Sequence, residues 1–264
     1  MDSAVRQQFL DHYTKIRHAE GRGSADSAYY RALPDRDLSG KNPEQWRIRA
    51  RSFRAFERTI LADAERHTGR ELDVLDLGAG NGWMSHRLAL RRHRTVALDI
   101  FCDDLDGLGA LAHYPVRLPA AAAEFDCLPF RDSAFDLAVF NSSFHYSSDY
   151  RRTLAEVRRC LRPTGLLVIM DSPVYQRREH GEMMRAERQA HFERTYGFRS
   201  EALQSIEYLD HQMLEDLASE LKIDWQYSQP WYGLQWAARP WKAKLQGKRP
   251  PSRFLIVVGR FRNR

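Results

Sequence analysis

Three glycines at alternate positions follow a short apolar run that contains a carboxylate. The segment VLDLGAGNGWMSHRLAL, residues 74–90, has Asp76 within the run and then Gly78, Gly80 and Gly82. Because glycine lacks a Cβ atom, it permits a tight turn and lets a ligand lie against the backbone. A strand, a glycine loop and a helix in this order predict a nucleotide-type ligand at the end of a parallel strand.

The spacing of the glycines separates two classes of nucleotide-binding loop. A dinucleotide-binding loop needs a third glycine five positions after the first, and Trp83 occupies that position. The loop instead resembles motif I of the class I S-adenosylmethionine-dependent methyltransferases, with Asp76 and the three glycines in register. The resemblance implies that Asp99, at the end of the next predicted strand, accepts both ribose hydroxyl groups. It also assigns Ala79 and Ile100 to the cofactor site.

A second, longer resemblance covers residues 124–169. This segment is similar to the methyltransferase type 11 branch, which includes the quinone-biosynthesis methyltransferases. The matching residues are Leu128, Pro129, Phe130, Phe135, Asp136 and Asp149, and the stretches SFHY (Ser143 to Tyr146) and LRPTG (Leu161 to Gly165) correspond to family motifs. Two residues depart from the family pattern: Tyr146 replaces the second histidine and Thr164 replaces the first glycine of the turn. The family pattern implies that Glu124, or Asp126 in a shifted loop, contacts the adenine amino group. It places Phe125 beside the adenine and Asn141 at the methionine end, with S-adenosyl-L-methionine as cofactor and S-adenosyl-L-homocysteine as product.

Candidates for a general base follow the fourth and fifth predicted strands. Methyl transfer from a sulfonium needs an aligned nucleophile, and a base that removes its proton is optional. The candidates are His145, Tyr146 and Asp171, with His180 and His191 farther along the chain. We favour His145 because an unperturbed imidazole titrates near neutral pH. Its alternative role is to shape the pocket or to form a local hydrogen bond.

Short apolar runs alternate with helical patterns from Leu72 onwards, which indicates a parallel sheet. Five strands are predicted at residues 72–77, 95–100, 115–123, 135–140 and 165–170, with further strands near 223–227 and at 253–261. The resemblance implies an α/β fold, a doubly wound Rossmann-like sheet of seven strands in the order 3-2-1-4-5-7-6 with the last strand antiparallel. We predict an N-terminal helical extension or lid at 1–70 and a methyltransferase domain at 71–264, with substrate-side insertions at 172–252.

Two segments outside the predicted sheet are expected to select the substrate. Tyr29, Tyr30, Trp46 and Arg49 are candidates for a lid. The other segment, residues 223–254, has Leu234, Ala238, Trp241 and Leu245 at helical spacing, with a kink expected at Pro240. Its apolar stripe could pack on the sheet, cap the substrate pocket or contact a membrane surface. We predict a largely apolar and aromatic pocket, roofed by both segments, with His145 near the transferable methyl group.

Composition narrows the class of protein. The formal net charge is +6, but 35 of the 41 basic residues are arginines scattered among acids, which argues against a nucleic-acid partner. No apolar run reaches the roughly 18 residues of a membrane span, and residues 1–10 lack a signal-peptide core, so we expect a cytoplasmic protein. Cys102, Cys127 and Cys160 fit neither a disulfide framework nor a metal site.

The sequence thus predicts a methyltransferase that modifies an oxygen, nitrogen or carbon atom of a small, apolar or aromatic metabolite. Two alternatives stay open. One is an RNA methyltransferase, for which the basic balance and the aromatic C-terminal segment speak. The other is a domain that binds the cofactor without catalysis, as an assembly partner or sensor.

Overall fold

The computed structural model describes residues 3–198 and 205–262. Seven strands form the main sheet and three form a small second sheet. The strands are β1 (Asp73–Leu77), β2 (Arg94–Asp99), β3 (Ala120–Ala122), β4 (Phe135–Asn141), β5 (Leu161–Met170), β6 (Pro173–Tyr175), β7 (Leu209–Asp210), β8 (Ile223–Ser228), β9 (Arg253–Phe254) and β10 (Ile256–Phe261). The helices are α1 (Ser3–Ala19), α2 (Ser27–Ala32), α3 (Pro43–Phe56), α4 (Ala62–Thr68), α5 (Trp83–Leu90), α6 (Tyr150–Cys160), α7 (Arg178–Tyr196), α8 (His211–Leu221), α9 (Leu234–Ala237) and α10 (Arg239–Leu245).

The main sheet has the strand order β3-β2-β1-β4-β5-β10-β8. The first five strands of the chain pair in parallel, whereas β10 is antiparallel to both β5 and β8. Since β8 and β10 are the sixth and seventh strands of this sheet along the chain, the predicted order and the antiparallel last strand are confirmed. The carboxyl ends of β1, β2, β4 and β5 meet at one edge, where ligands of open α/β sheets bind.

Alternate residues of the central strands face two separate hydrophobic cores. In β4, Leu137 and Val139 pack on one side of the sheet, and Ala138 and Phe140 pack on the other. The first core is completed by α2, α3 and α5, and the second by α6 and α8. Burial on both faces explains why the strands are continuous apolar runs rather than alternating ones.

Helix α3 carries one buried face across the first core. Trp46, Ala50, Phe53 and Phe56 are all buried, at the spacing of one side of a helix. Pro43 occupies the first turn, where its missing N–H costs no hydrogen bond. The helix continues through a π-helical segment, Glu57–Leu61, into α4, which ends at Gly69 in the left-handed conformation.

The small sheet, β7-β6-β9, is a feature that the sequence did not predict. Strand β6 begins shortly after β5 ends, and it pairs with β9 in antiparallel fashion, with Pro173 opposite Phe254. Strand β7 pairs with β6 in parallel. The third strand of the main sheet is also shorter than predicted, because only residues 120–122 pair with β2.

The aromatic segment after β8 folds as two short helices, α9 and α10, in place of the single kinked helix that was predicted. Leu234, Trp241 and Leu245 are 80%, 74% and 86% exposed. The expectation that this stripe packs on the sheet is therefore wrong for these three side chains. Within the described residues, no helix is long and apolar enough to cross a bilayer.

Candidate active site

A cavity of about 510 Å³ opens at the carboxyl edge of the main sheet. Its floor includes the glycine loop after β1 and the residues that follow β2, β4 and β5. The predicted cofactor residues that line it are Gly78, Ala79, Gly80, Asp99, Ile100, Glu124, Phe125 and Asn141. Asp76 and Gly82 do not line it.

All three glycines of the loop have a positive φ, and the absence of a side chain has a different consequence at each position. Gly78 has a φ of 73°, and a Cβ atom there would lie 2.3 Å from the Cβ atom of Ser143. Gly80 has a φ of 53°, and a Cβ atom there would lie at an ordinary contact distance, 3.6 Å, from the backbone oxygen of Asp106. Gly80 also lines the cavity. Gly82 abuts Leu111, where an added Cβ would lie 2.1 Å from a methyl carbon. Gly78 and Gly82 thus serve close packing, and Gly80 presents backbone to a ligand.

Asp99 supports the loop as well as the cavity. The backbone N–H of Gly80 donates to its Oδ2 at 2.8 Å, and that of Phe101 donates to its Oδ1 at 3.0 Å. Burial raises the pKa of Asp99, while these backbone donors oppose the rise. The carboxylate keeps further acceptor sites because each oxygen has two lone pairs.

Asp76 lies beneath the loop rather than in the cavity. Its side chain is buried and accepts a hydrogen bond from Ser85 Oγ at 2.7 Å. Burial raises the pKa of Asp76 to about 7. This carboxyl group therefore links β1 to α5 from within the core, and any influence on a cofactor passes through the loop.

Two polar groups near the end of β4 have few hydrogen-bond partners within the described part of the protein. Asn141 Oδ1 is buried without a hydrogen-bond partner, and Asn141 Nδ2 contacts only Met84 Sδ, at 3.8 Å. Arg49 from α3 lies over the Trp46 ring, 4.9 Å from its centroid, and contacts Ser142 Oγ at 3.4 Å. In the described part of the chain Arg49 forms no ion pair. Burial, and then the neighbouring Arg22 and Arg17, lower its pKa to about 10.

Asp171, which follows β5, has one satisfied and one unsatisfied oxygen. Ser52 Oγ donates to its Oδ1, and Ser52 Oγ also lies 3.0 Å from the hydroxyl group of Tyr232. Asp171 Oδ2 is buried without a hydrogen-bond partner. Burial raises the pKa of Asp171 to about 6, opposed by Ser52 and Arg49. The backbone φ values of Ser142 and Asp171 are 58° and 54°, which are strained for residues other than glycine.

His145 lies behind the cavity wall. Its side chain is buried, its ring packs against that of Tyr146 at 4.3 Å, and its Nδ1 lies 3.2 Å from Ser172 Oγ. Burial, and then the charges of Arg188 and Arg49, lower its pKa to about 3. Tyr146 lines the cavity and His145 does not. The geometry therefore matches the alternative that sequence analysis left open, a local structural hydrogen bond.

Helices α1, α3 and α7 build the upper part of the cavity. Tyr13 and Arg17 come from α1, and Arg188 and Phe192 come from α7. Arg17 forms an ion pair with Asp106, and Tyr13 packs edge-on against Phe101 and Tyr146. These helices have polar, charged sequences, so their inward faces were not apparent before they were placed over the sheet.

Two expectations about the pocket are wrong. Tyr29 and Tyr30 are buried in the core instead of covering the cavity, and the Tyr30 hydroxyl donates to backbone carbonyls of Ser24 and Leu105. No residue of 225–241 lines the cavity, and Phe254 is the nearest contribution from that side. Aromatic side chains contribute much of the lining, and charged residues share it with them: Arg17, Glu20, Arg22, Arg49, Asp99, Asp106, Glu124, Asp126, Asp171 and Arg188. Among the described residues, no cluster of His, Cys, Asp or Glu could hold a metal ion.

Comparison with known proteins adds the family. Residues 75–169 match the profile of a family described as a methyltransferase domain, which coincides with the glycine loop and the segment after β3. The chain contains an S-adenosylmethionine-dependent methyltransferase domain. The fold agrees with the solved structure of an S-adenosylmethionine-dependent methyltransferase from Mesorhizobium loti, at a TM-score of 0.52 and 21% identity over 72% of this chain and 91% of that chain.

Curated relatives align with the methyltransferase domain and its surroundings. A malonyl-[acyl-carrier protein] O-methyltransferase of Hahella chejuensis is 28% identical over 201 residues, or 66% of this chain and 71% of that protein. A glycine/sarcosine/dimethylglycine N-methyltransferase of Actinopolyspora halophila is 26% identical over 183 residues, or 63% of this chain and 31% of that protein. The acceptor atoms in these two names differ, so the methyltransferase domain alone does not select the acceptor.

Proposed function

We propose that this methyltransferase moves the methyl group of S-adenosyl-L-methionine to a protic oxygen or nitrogen atom of a small molecule, with Asp171 as proton acceptor. The observation that carries the proposal is the buried, unpartnered Oδ2 of Asp171 in the cavity that also contains the glycine loop. Its raised pKa, about 6, suits a group that must gain a proton near neutral pH. The bound cofactor supplies an activated methyl group on a sulfonium.

The residues around the cavity fit the cofactor by their chemistry. We assign the backbone at Gly80 and the carboxylate of Asp99 to the adenosine ribose, and Glu124 with Phe125 to the adenine. At the other end, Asn141 has an unpartnered amide oxygen that suits the α-ammonium group of the methionine moiety. These roles extend the family resemblance and are open to test one residue at a time.

Arg49 completes the assignment at the methionine end. Arg49 is half-buried at the cavity and has no acidic partner in the described structure, so its guanidinium group is available to a ligand anion. Arg49 lies next to Ser142, one residue beyond Asn141, and stacks on Trp46. We therefore assign the α-carboxylate of the cofactor to Arg49, since a guanidinium and a carboxylate form paired hydrogen bonds.

The acceptor molecule would lie between Asp171 and the aromatic residues in the upper part of the cavity. Tyr13, Tyr146, Phe192 and Phe254 line this part of the cavity and suit an apolar or aromatic body. Arg188 lines the same part of the cavity and is already paired with Glu207, at 3.1 Å, so its charge is not free for a phosphate backbone. This arrangement favours a small molecule over a strand of RNA. The names of the relatives include an O-methyltransferase and an N-methyltransferase, and both acceptor types fit a carboxylate base.

The decisive experiment separates cofactor binding from proton removal. Calorimetry with S-adenosyl-L-methionine and S-adenosyl-L-homocysteine tests the cofactor, and absence of binding by both in a folded sample would refute the function. Transfer of a labelled methyl group to metabolites of a cell extract then tests catalysis. Asp171→Asn should keep the cofactor affinity and lose roughly a hundredfold or more of the transfer rate. His145→Gln is the matched control and should keep its transfer rate. A hundredfold loss in His145→Gln, with the rate of Asp171→Asn unchanged, would assign the proton acceptor to His145 instead.

A further inference from the structure

Four large apolar side chains project from the segment after β8. Trp231, Leu234, Trp241 and Leu245 are 66%, 80%, 74% and 86% exposed. We call these four residues the apolar patch. Isolated apolar side chains on a surface are ordinary, but two tryptophans and two leucines within fifteen positions of the sequence are not scattered ones.

Three residues of the patch lie on the outer face of the α9–α10 segment, and the fourth, Trp231, precedes that segment. On a helical wheel of 100° per residue, continued through α9 and α10, Leu234, Trp241 and Leu245 fall within an arc of roughly 40°. Trp236 and Ala243 point roughly the opposite way on the same wheel, and both are partly buried. Trp236 packs against Tyr232 and Phe254, with ring centroids 5.0 and 5.2 Å apart. The segment is thus anchored by one face while it presents the apolar face to the surroundings.

Positive charge flanks the apolar patch without acidic neighbours in sequence. Lys242 and Lys244 lie on either side of the stripe, at roughly 80° from its centre on the same wheel. Half of the six lysines of the chain, Lys242, Lys244 and Lys248, fall in this segment. No acidic residue occurs after Asp224, while residues 225–254 contain six basic ones. In the described structure none of these three lysines forms an ion pair.

We propose that the apolar patch and its lysines bind the surface of an anionic lipid bilayer. Tryptophan and leucine on one face, with lysines at its edges, let the apolar side chains enter the headgroup region while the ammonium groups stay among the phosphates. Each of the four side chains is at least 66% exposed, which suits a fluid layer that adapts to their shape. A second copy of this chain is disfavoured as occupant because two patches of the same charge would meet.

The patch lies one side-chain layer from the cavity. Tyr232, on the anchored face, places its hydroxyl group 3.0 Å from Ser52 Oγ and donates to the carbonyl of Phe254 at 3.1 Å. Phe254 lines the cavity, and Ser52 contacts Asp171. Bilayer binding at the patch would therefore bring the cavity region close to the headgroups. The surface proposal itself does not depend on the proposed methyl transfer.

Vesicle flotation tests the proposal with the full chain. The probes are vesicles of pure phosphatidylcholine and of phosphatidylcholine with phosphatidylglycerol, each at low and high salt. The wild type should float with the anionic vesicles, and less so at high salt, because screening weakens the lysine contribution. Trp241→Ser combined with Leu245→Ser should reduce binding roughly tenfold or more, since two exposed apolar groups lose their burial in lipid.

Matched control variants distinguish binding through the apolar patch from nonspecific adsorption to vesicles. Leu38 and Leu90 are also exposed, at 47% and 56%, so Leu38→Ser with Leu90→Ser should leave flotation unchanged. Lys242→Gln with Lys244→Gln should weaken binding, whereas Arg58→Gln with Arg66→Gln, on the α3–α4 side, should not. Failure to float with anionic vesicles, equal loss in the control pairs, or a self-associated dimer abolished by the patch variant would overturn the proposal. Calorimetric cofactor binding by the patch variant keeps this test distinct from the proposed function.

Discussion

Asp171 and Asp73 are carboxyl groups that the fold treats in opposite ways. Asp171 has lost hydration without gaining an ion pair, so burial raises its pKa to about 6. Asp73 accepts from Arg94 Nε at 2.6 Å and from an Arg162 amino group at 2.8 Å, and these hydrogen bonds lower its pKa. The first environment lets the carboxylate accept a proton near neutral pH, and the second stabilises the charged carboxylate. This contrast predicts opposite effects on stability.

Asp171→Asn should raise the free energy of unfolding at neutral pH. Because the folded pKa lies above the unfolded value of about 3.9, the folded state binds more protons between the two, and stability falls as the pH rises through that window. The asparagine variant lacks this fall and should gain on the order of 1 to 3 kcal/mol at pH 7.5 relative to pH 4. Urea unfolding at both values measures it. Asp73→Asn should instead lower stability at pH 7.5; the same sign in both variants would contradict the burial argument.

Asp99→Asn should weaken cofactor binding. The substitution replaces a charged acceptor that holds the Gly80 and Phe101 amides and that we assign to the ribose hydroxyl groups. Loss of such contacts costs about 1 to 3 kcal/mol. Calorimetry with S-adenosyl-L-homocysteine gives the affinity, and Asp104→Asn, at an exposed neighbour, is the control. An unchanged affinity would remove Asp99 from the site.

At the scale of elements, the glycine loop and the helices above it differ in how far the sequence determines them. The strand order, the glycine loop and the lining positions from Gly78 to Asn141 could be predicted because local patterns specify strand ends, and strand ends define the site. The roof could not. Tyr13 of α1 and Phe192 of α7 belong to charged helices whose inward faces depend on long-range docking, and His145 points behind the wall because of the turn after β4.

The loop after β1 should be intolerant of a methyl group at Gly78. Its positive φ disfavours any other residue, and the added Cβ would press on Ser143. Gly69 has a similar φ of 62° with nothing within 4 Å, so Gly69→Ala isolates the backbone cost of about 1 kcal/mol. We expect Gly78→Ala to cost about 2 to 4 kcal/mol in urea unfolding. Equal losses in the two variants would show that Ser143 yields without strain.

Helix α1 should become more protected when the cofactor binds. It reaches the cavity through Phe9, Tyr13 and Arg17, and the Arg17–Asp106 ion pair connects it to the residues after β2. Ligand contacts restrict the opening of the elements around them. Hydrogen exchange with and without S-adenosyl-L-homocysteine should show slower exchange in α1 and in the glycine loop. Slowing in the loop alone would argue against a lid role for residues 1–70.

At the scale of the whole molecule, some of the surface arginines are already paired with acidic residues. Arg70 pairs with Asp136 at 2.7 Å, and Arg159 pairs with Glu156 at 2.8 Å. Such exposed pairs contribute little stability each, but they remove these cations from any nucleic-acid footprint. The lysines beside the apolar patch, in contrast, form no ion pair in the described structure. The net charge of the chain does not show which basic residues are paired and which are not.

Cofactor binding should raise the thermal midpoint of the whole chain. A ligand at 100 times its Kd adds about 2.7 kcal/mol to the folded state, which corresponds to roughly 5 to 10 °C for a domain of this size. Differential scanning fluorimetry over a concentration series of S-adenosyl-L-homocysteine measures the shift. The shift should shrink in Asp99→Asn at equal concentration, and a shift that does not depend on concentration would point to a nonspecific effect.

The pairing of β6 with β9 has a consequence for how this chain can change. The pairing of Pro173 with Phe254 brings together the two ends of the long segment that connects β5 to β10. A segment whose two ends pair with each other can be exchanged as a unit, provided that the donor segment also supplies an edge strand in place of β8, which pairs with β10 in the main sheet. We expect chimaeras cut at residues 172 and 255 to keep the glycine-loop site while they take on the acceptor preference and the surface of the donor chain.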